Sequence, residues 1–443
     1  MLPALFPSGL RSARPRRALA CLVLACAAST CPGIHAQQSL TLDQALRAAQ
    51  ARSRQLVAQD AAASALRDLA LAAGQRPDPT LKVGINNLPI NGPDRLSVSR
   101  DFMTMRSVGV MQEITRSGKL QARSARFDRE AEAAVAARAL ALANLRRDTA
   151  MAWLDRSFQE QVLVLLRSQR TEAGLQIDAA DAAYRGGRGA QADVFAARSA
   201  VALIDDRIRF TERLVATAKT KLARWVGSEA SQPLSAAPPL TAVHLDSSNV
   251  ESKLVHHPEI AMLVKREEMA RADADIAQRN EQPDWTVELM YSQRGPAYAN
   301  MVSVNVSIPL QLDQTSRQDR DLAAKLALIE QMRGQREEAV REHLAETLNW
   351  LQAWQSDRDR LSHHDSTLIP LAMERTRAAM AAYRGGGGAL IGVLEARRAE
   401  IDVRMDRLRL EMEAAGRWAQ LEYLLPPGHD EVAHERPIAA TEK

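Results

Sequence analysis

Residues 182–200 read AAYRGGRGAQADVFAARSA, and residues 381–399 read AAYRGGGGALIGVLEARRA. The two stretches share 12 of 19 residues at a constant offset of 199 positions. In each copy a glycine-rich turn separates two helical patterns, so each copy predicts the apex of a helical hairpin. A duplication at one fixed offset indicates an architecture built from two equivalent halves.

The sequence on either side of each glycine turn repeats one order of predicted elements. A helix comes first, then two segments of alternating apolar and polar residues that predict a strand hairpin, then a long helix, the glycine turn and a last helix. Pro370 predicts a kink in the second long helix. The predicted boundaries are a first repeat at 37–227 with strands at about 80–88 and 106–115 and a first hinge at 185–189, a linker at 228–246, a second repeat at 247–427 with strands at about 285–293 and 301–310 and a second hinge at 384–388, and a disordered tail at 428–443.

The helix lengths predict an elongated molecule. Each long helical stretch of about 70 residues would measure about 100 Å at 1.5 Å per residue. The other two helices of each half are about half as long, so together they match the long one. Each half therefore predicts an antiparallel pair of rods, one continuous and one made of two pieces. The strand hairpin is expected at the end remote from the hinge.

The first 36 residues have the composition of a secretory signal. Arginines precede an apolar run at 18–28, and Ile34-His35-Ala36 is a plausible cleavage site. Cys26 offers an alternative lipoprotein cleavage and lipidation site, although Leu24 fits that pattern poorly. All three cysteines lie in this segment, so the mature chain would have no disulfide and no thiolate metal site.

Removal of the signal also changes the charge. The chain has 58 basic and 54 acidic residues, and the signal holds four arginines and no acid. The mature chain would therefore carry 54 residues of each sign, which gives no support to nucleic-acid binding.

The alternating segments are the part of the chain suited to a membrane. No apolar run of 18 or more residues follows the signal, so strands would have to make any crossing. Four strands cannot close a pore, so closure would require several chains. The pattern predicts that one set of side chains faces lipid (Val302, Val304, Val306 and Ile308) and the other faces water (Ser303, Asn305 and Ser307).

The exported chain, its two halves and the Tyr-x-Gly-Gly apex resemble the TolC-like outer-membrane factor family, over essentially the whole mature chain. The segments 112–119 and 307–310 resemble junctions of its heavy-metal efflux branch, the CzcC-like proteins. The resemblance implies a mainly α fold with a small β part. It implies a homotrimer whose twelve strands form one outer-membrane β-barrel, continued by a long periplasmic α-helical barrel. The implied partners are outer-membrane lipid, a periplasmic adaptor (a membrane fusion protein) and an inner-membrane RND pump.

The resemblance also assigns a gate to the two hinges. In the family a Tyr of the second hinge bonds an Asp just after the first hinge and helps to keep the periplasmic entrance shut. Tyr383 and Asp193 match these positions. A further Arg of the family's gate is replaced here by Gly388, so the gate is expected to be held either more loosely or by other contacts such as Arg188 or Arg384.

Further roles follow from the same resemblance. Of two acidic rings in the family, one falls on Gly392 and is lost, and the other is retained as Glu395. Three copies of Glu395 around a trimer axis would favour cations. The hinges are expected to contact the adaptor through Tyr184, Gly186, Gly187, Gly189, Gly385, Gly386 and Gly388.

The sequence predicts neither a metal site nor a cofactor site. The pairs His256-His257 and His363-His364 each lie on a predicted helix, where adjacent side chains point in different directions. The residue four positions after each of these histidines is neither a His nor a carboxylate, unlike in a helical metal site. A solvated helix face is therefore the interpretation of both pairs.

The predicted function is a passive export duct, the outer-membrane channel of a tripartite RND-type efflux system for heavy-metal cations. Drugs, other small molecules or type I protein secretion are the alternative cargoes. A periplasmic coiled-coil adaptor would share the long helical hairpins but would not need two strand hairpins. An enzyme is disfavoured because the sequence shows no catalytic triad, paired carboxylates or cofactor fingerprint.

Overall fold

The computed structural model describes residues 39–243, 245 and 247–425. The predicted signal, Cys26 and the predicted tail lie outside the described residues. Within these ranges no helix is both long and apolar enough to cross a membrane. The mainly helical fold with a small β part is confirmed. Its elements are α1 (Leu42–Arg52), α2 (Arg54–Ala73), β1 (Thr80–Asn86), β2 (Met105–Ile114), α3 (Ser117–Arg185), α4 (Gln191–Val226), α5 (Val250–Leu254), α6 (Pro258–Arg279), β3 (Trp285–Gln293), β4 (Met301–Ser307), α7 (Gln318–His363), α8 (Ile369–Arg384) and α9 (Leu390–Glu422).

The first repeat is the predicted pair of rods. Helix α3 is continuous over 69 residues, a length of about 100 Å. Helices α2 and α4 both pack against it. Leu56 of α2 shares an apolar cluster with Leu145 of α3, and Val201 of α4 shares another with Ala173. Two shorter helices therefore cover successive parts of the long one.

Two predicted helices are broken in the structure. The first helix is divided at Ser53, whose hydroxyl accepts a hydrogen bond from the backbone N–H of Leu56 at 3.3 Å and caps α2. The first helix of the second repeat is divided before Pro258, which becomes the first residue of α6. A proline has no backbone N–H and is tolerated at a first helical position but not inside a helix.

The second long rod is interrupted near Pro370, as the sequence predicts. Helix α7 ends at His363, a π-type turn covers His364–Leu368, and α8 begins at Ile369. A wide turn of this kind accommodates the missing N–H and the ring of the proline. Helix α6 packs against α7, and α9 packs against both α7 and α8.

The four strands form one antiparallel sheet in the order β1-β2-β3-β4. The pairing of β2 with β3 joins the two repeats. The register aligns Leu81, Val110, Leu289 and Val304 in one row across the sheet, and all four side chains are exposed. One face of the sheet is therefore apolar and uncovered.

The opposite face of the sheet is polar. The Lys82 ammonium lies 3.2 Å from the Glu288 carboxylate. Ser107 and Ser292, which are partners in the β2–β3 register, are both buried on this face. The last strand ends at Ser307, earlier than the sequence predicts, because Pro309 cannot donate to a strand ladder.

The linker between the repeats packs on the main core. This core contains Trp153 and Phe158 of α3 and Trp418 of α9. Trp153 donates a hydrogen bond to the Leu40 carbonyl at 3.1 Å, and Trp418 donates to the Ala242 carbonyl at 3.0 Å. These bonds hold both the start of the described chain and the linker against the middle of the rods.

Candidate functional site

The two hinges have the same backbone hydrogen bonds. In the first hinge the N–H groups of Gly186, Gly187 and Arg188 donate to the carbonyls of Ala182, Tyr184 and Ala183 at 3.0, 3.0 and 2.9 Å. In the second hinge Gly385, Gly386 and Gly387 donate to Ala381, Tyr383 and Ala382 at 2.9, 3.1 and 3.0 Å. Every donor and acceptor recurs at the offset found in the sequence. The duplication therefore extends to the geometry of the turns.

One glycine in each hinge has a left-handed backbone. Gly187 has φ of +69° and Gly386 has φ of +78°, a region that L-residues other than glycine rarely adopt. The preceding glycines differ, since Gly186 and Gly385 have φ of −84° and −77°. The backbone conformation therefore favours glycine at the second glycine of each hinge, Gly187 and Gly386, and not at the first.

A second glycine in each hinge lies in close contact with the preceding helix. A Cβ added to Gly189 would lie 3.1 Å from the Cβ of Ala183, and one added to Gly388 would lie 3.1 Å from the Cβ of Ala382. These glycines let the chain turn back tightly over the last turn of the preceding helix. Any side chain at Gly388 would therefore have to displace this close neighbour.

The helices that leave the two hinges begin differently. Asp193 accepts a hydrogen bond from the backbone N–H of Ala190 at 3.1 Å, which ties the start of α4. Gly392 holds the equivalent position in the second repeat and has no side chain, so α9 begins without a side-chain cap. The second hinge lacks one stabilising contact that the first has.

The structure places the two hinges side by side. Val194 of α4 and Leu390 and Val393 of α9 belong to one apolar cluster, and the Tyr383 ring packs against it. Tyr383 is half-buried, whereas its counterpart Tyr184 is exposed. The hinges of both repeats thus form one end of the molecule, remote from the sheet.

The predicted bond between Tyr383 and Asp193 is not formed in the described chain. The Asp193 carboxylate binds its own helix start, and no described hydrogen bond reaches the Tyr383 hydroxyl. Glu395, Arg188 and Arg384 are exposed, and none of them takes part in an ion pair within the described ranges. In each chain the hinge end therefore presents one acidic and two basic side chains that have no ion-pair partner within the described ranges.

A network of ion pairs joins α3, α4 and α9 on the sheet side of the hinges, and the sequence does not predict it. Arg397 of α9 pairs with Glu172 of α3, which links the two repeats. Arg207 of α4 lies 2.9 Å from Asp402 of α9. The partners are far apart in sequence, and their helices carry many other charges, so spacing alone could not have matched them. These pairs hold α9 to the first repeat near the entrance.

The fold and the paired hinges define a class of elongated proteins in which one chain contains two helical hairpins and two strand hairpins. The family model described as outer membrane efflux protein matches residues 249–425, which is the second repeat. Residues 249–425 therefore match this family, and the resemblance predicted from the sequence is confirmed at this level. No curated protein matches the chain by sequence.

Solved structures of outer-membrane channels share the fold over most of the chain. A structure of CusC covers 86% of this chain and 91% of its own, at 15% identity and a TM-score of 0.74. The outer membrane protein VceC from Vibrio cholerae covers 86% of this chain and 95% of its own, at 18% identity and a TM-score of 0.71. The CmeC outer membrane channel from Campylobacter jejuni covers 88% of this chain and 88% of its own, at 11% identity and a TM-score of 0.73. At these identities the likeness establishes the fold.

Proposed function

We propose that the protein is the outer-membrane channel of a tripartite RND-type efflux system, a passive duct from the periplasm to the outside. The observation that carries this proposal is the placement of the sheet. Four strands with an uncovered apolar face lie at one end of rods about 100 Å long, and both hinges lie at the other end. Such an arrangement suits a protein that is held in a membrane at one end and reaches far into the periplasm.

The sheet supports assembly into a trimer. Strands β1 and β4 are its two edges, and each leaves a row of backbone groups without a strand partner in the described chain. Exposed edges favour pairing with another sheet. Three sheets joined edge to edge would supply twelve strands, with apolar rows toward lipid and the polar face toward a lumen.

The hinge end would form the entrance and contact a periplasmic adaptor. The tight turns at Gly187 and Gly386 are exposed and have no side chain, so an adaptor could approach their backbone closely. The positive charges of Arg188 and Arg384 would be available for recognition by the adaptor. Three copies of Glu395 on a shared axis would raise the local concentration of cations. For Tyr383 to act as a gate by bonding Asp193, that carboxylate would have to be shared with the helix start that it now caps.

The cargo is proposed to be heavy-metal cations. The support is the likeness of segments 112–119 and 307–310 to the junctions of the heavy-metal efflux branch. Export of drugs or other small molecules through the same duct is the competing outcome. Loss of the gene should sensitise cells to divalent metal salts if the proposal is right, and to organic toxicants alone if the alternative is right.

The duct itself is tested by reconstitution. The purified protein should be a trimer by light scattering and should give discrete conductance steps in a planar lipid bilayer. Glu395→Gln should lower cation selectivity, whereas the control Glu413→Gln, about five helical turns further along the same exposed side of α9, should not. A monomer that still conducts would refute the trimer. A folded trimer without conductance would refute the duct.

The gate has its own test with an internal control. Tyr383→Phe should raise the open fraction of the channel, and Tyr184→Phe, at the equivalent position of the first hinge, should leave it unchanged. Asp193→Asn is preferable to Ala because the amide oxygen still accepts the hydrogen bond from Ala190. Equal conductance of wild type, Tyr383→Phe and Asp193→Asn would exclude a Tyr383–Asp193 gate.

A further inference from the structure

Three metal-ligating side chains converge where α6 begins against α7. His257 precedes the first residue of α6, Glu259 is its second residue, and His343 lies within α7. One ring nitrogen of each histidine and one carboxylate oxygen of Glu259 lie within 4.8 Å of one another. The His343 Nε2 is 3.1 Å from a Glu259 oxygen, and the two imidazole rings have centroids 4.2 Å apart.

The two histidines have unused ring nitrogens. His257 is only 6% exposed, and its Nδ1 has no hydrogen-bond partner among the described residues. The His343 Nδ1 is likewise buried and finds no partner in that part of the chain. Burial, together with the neighbouring His343, lowers the pKa of His257 to about 4, so its ring is neutral at ordinary pH. A buried polar atom without a partner is uncommon in folded proteins and calls for a ligand or another reason.

We propose that His257, Glu259 and His343 bind a divalent transition-metal ion of the Zn²⁺ type. Two imidazoles and one carboxylate form the donor set of zinc sites that keep a fourth position for water or another ligand. At metal–ligand lengths of about 2.0–2.2 Å, the ligands of a tetrahedral site lie about 3.3 Å apart. The observed 3.1 Å between His343 and Glu259 already fits this spacing.

Glu259 lies on the solvent side of the cluster, where its side chain is 41% exposed and hydrogen-bonded to His343. A Glu346 oxygen lies 4.0 Å from the His343 Nδ1. No hydrogen bond forms at that distance, but a carboxylate that accepts from the second nitrogen of a ligating histidine fixes its ring in zinc proteins, and Glu346 is placed to do so once the ion is bound.

The bound ion would join two helices at a structural break. It would tie the start of α6 to α7 at the place where Pro258 divides the first helix of the second repeat. The cluster is about 60 Å from the second hinge along the α7–α8 rod. It is therefore distinct from the entrance, and this inference does not depend on what the duct carries.

Isothermal titration with ZnCl₂ tests the site in the tag-free, chelator-treated full-length protein in detergent. Wild type should bind one Zn²⁺ per chain at this site, and Glu259→Gln and His343→Gln should each weaken that binding at least tenfold. His363→Gln is the matched control because it removes an exposed histidine from the same helix without touching the cluster. Co²⁺ should give the visible absorption of a tetrahedral site in wild type and in the control only.

Two results would overturn the site. One is a wild type that binds Zn²⁺ no better than His343→Gln, and the other is Glu259→Gln binding with wild-type affinity. Circular dichroism checks the fold of each variant. If His343→Gln does not fold, Glu259→Gln decides, because the partly exposed Glu259 can be replaced without opening a cavity.

Discussion

The second hinge allows backbone strain to be measured one residue at a time. Gly386 has φ of +78°, and a Cβ added there would meet no atom of the described residues within 4 Å. The cost of Gly386→Ala is therefore conformational alone, about 1–2 kcal/mol for an L-residue in the left-handed region. Gly385→Ala is the matched control, since Gly385 has φ of −77° and its nearest neighbours belong to the preceding helical turn.

The strain should appear as local opening of the hinge. A loss of about 1–2 kcal/mol corresponds to a roughly 5- to 30-fold larger open population. The amides of Gly387 and of residues 385 and 386 should then exchange with D₂O faster by that factor in Gly386→Ala. Hydrogen-exchange mass spectrometry of peptides spanning the hinge measures this rate, and Gly385→Ala should change it by less than about threefold.

The duplicated turn supplies a second, independent comparison. Gly187→Ala should increase exchange in the first hinge, and Gly186→Ala should not. Equal exchange in both members of each pair would show that the left-handed conformation does not limit opening, and the assignment of the strained position would be wrong. A change in peptides of the sheet would indicate global unfolding instead.

Further predictions concern the junction, the sheet and the core. Lys119 and Asp284 form an ion pair of 2.9 Å between side chains that are only 7% and 16% exposed, so Lys119→Met should lower the free energy of unfolding by about 3 kcal/mol in urea titrations. Burial by itself would raise the pKa of Asp284, but hydrogen bonds from Lys119 and a backbone N–H lower it overall. The stability from this pair should be present above the ordinary pKa of Asp and be lost as the pH falls through the lowered one, a dependence that Asp284→Asn should remove. If the apolar face meets lipid, Val304→Arg should cost about 2–4 kcal/mol in unfolding from vesicles and Ser303→Arg much less. Arg156 is fully buried and donates to two linker carbonyls at 2.7 Å, so Arg156→Met should lower the melting temperature by leaving them unpaired, at about 1–3 kcal/mol each.

The overall plan could be predicted because it depends on strong, repeated signals. The copies of the hinge established two halves, and the change from helical to alternating periodicity located the strands. The breaks at Ser53 and before Pro258 were missed because the apolar period continues across both. In the second case the proline itself was the available signal, since it cannot lie inside a helix.

The side-chain contacts of the site could not be predicted from spacing. Helical spacing around His257 tests only partners on its own helix, whereas its neighbour His343 is brought to it by α7. The resemblance predicts a bond from Tyr383 to Asp193, but Asp193 lies three positions after Ala190 and is therefore also in place to cap α4. A local partner of this kind competes with any distant one. Contacts between side chains of different helices can be predicted only once the packing of those helices is known.

The pairing of β2 with β3 constrains the order in which this protein can fold. Each strand hairpin closes over a short loop, but Arg106 meets Gln293, about 190 positions away, at a much larger cost in chain entropy. The two hairpins can therefore form early and separately, while the four-stranded sheet is completed only when the repeats dock. Until then each hairpin exposes an unpaired edge and an apolar face. A chain arrested before docking is consequently the species most exposed to aggregation and most in need of protection by a chaperone.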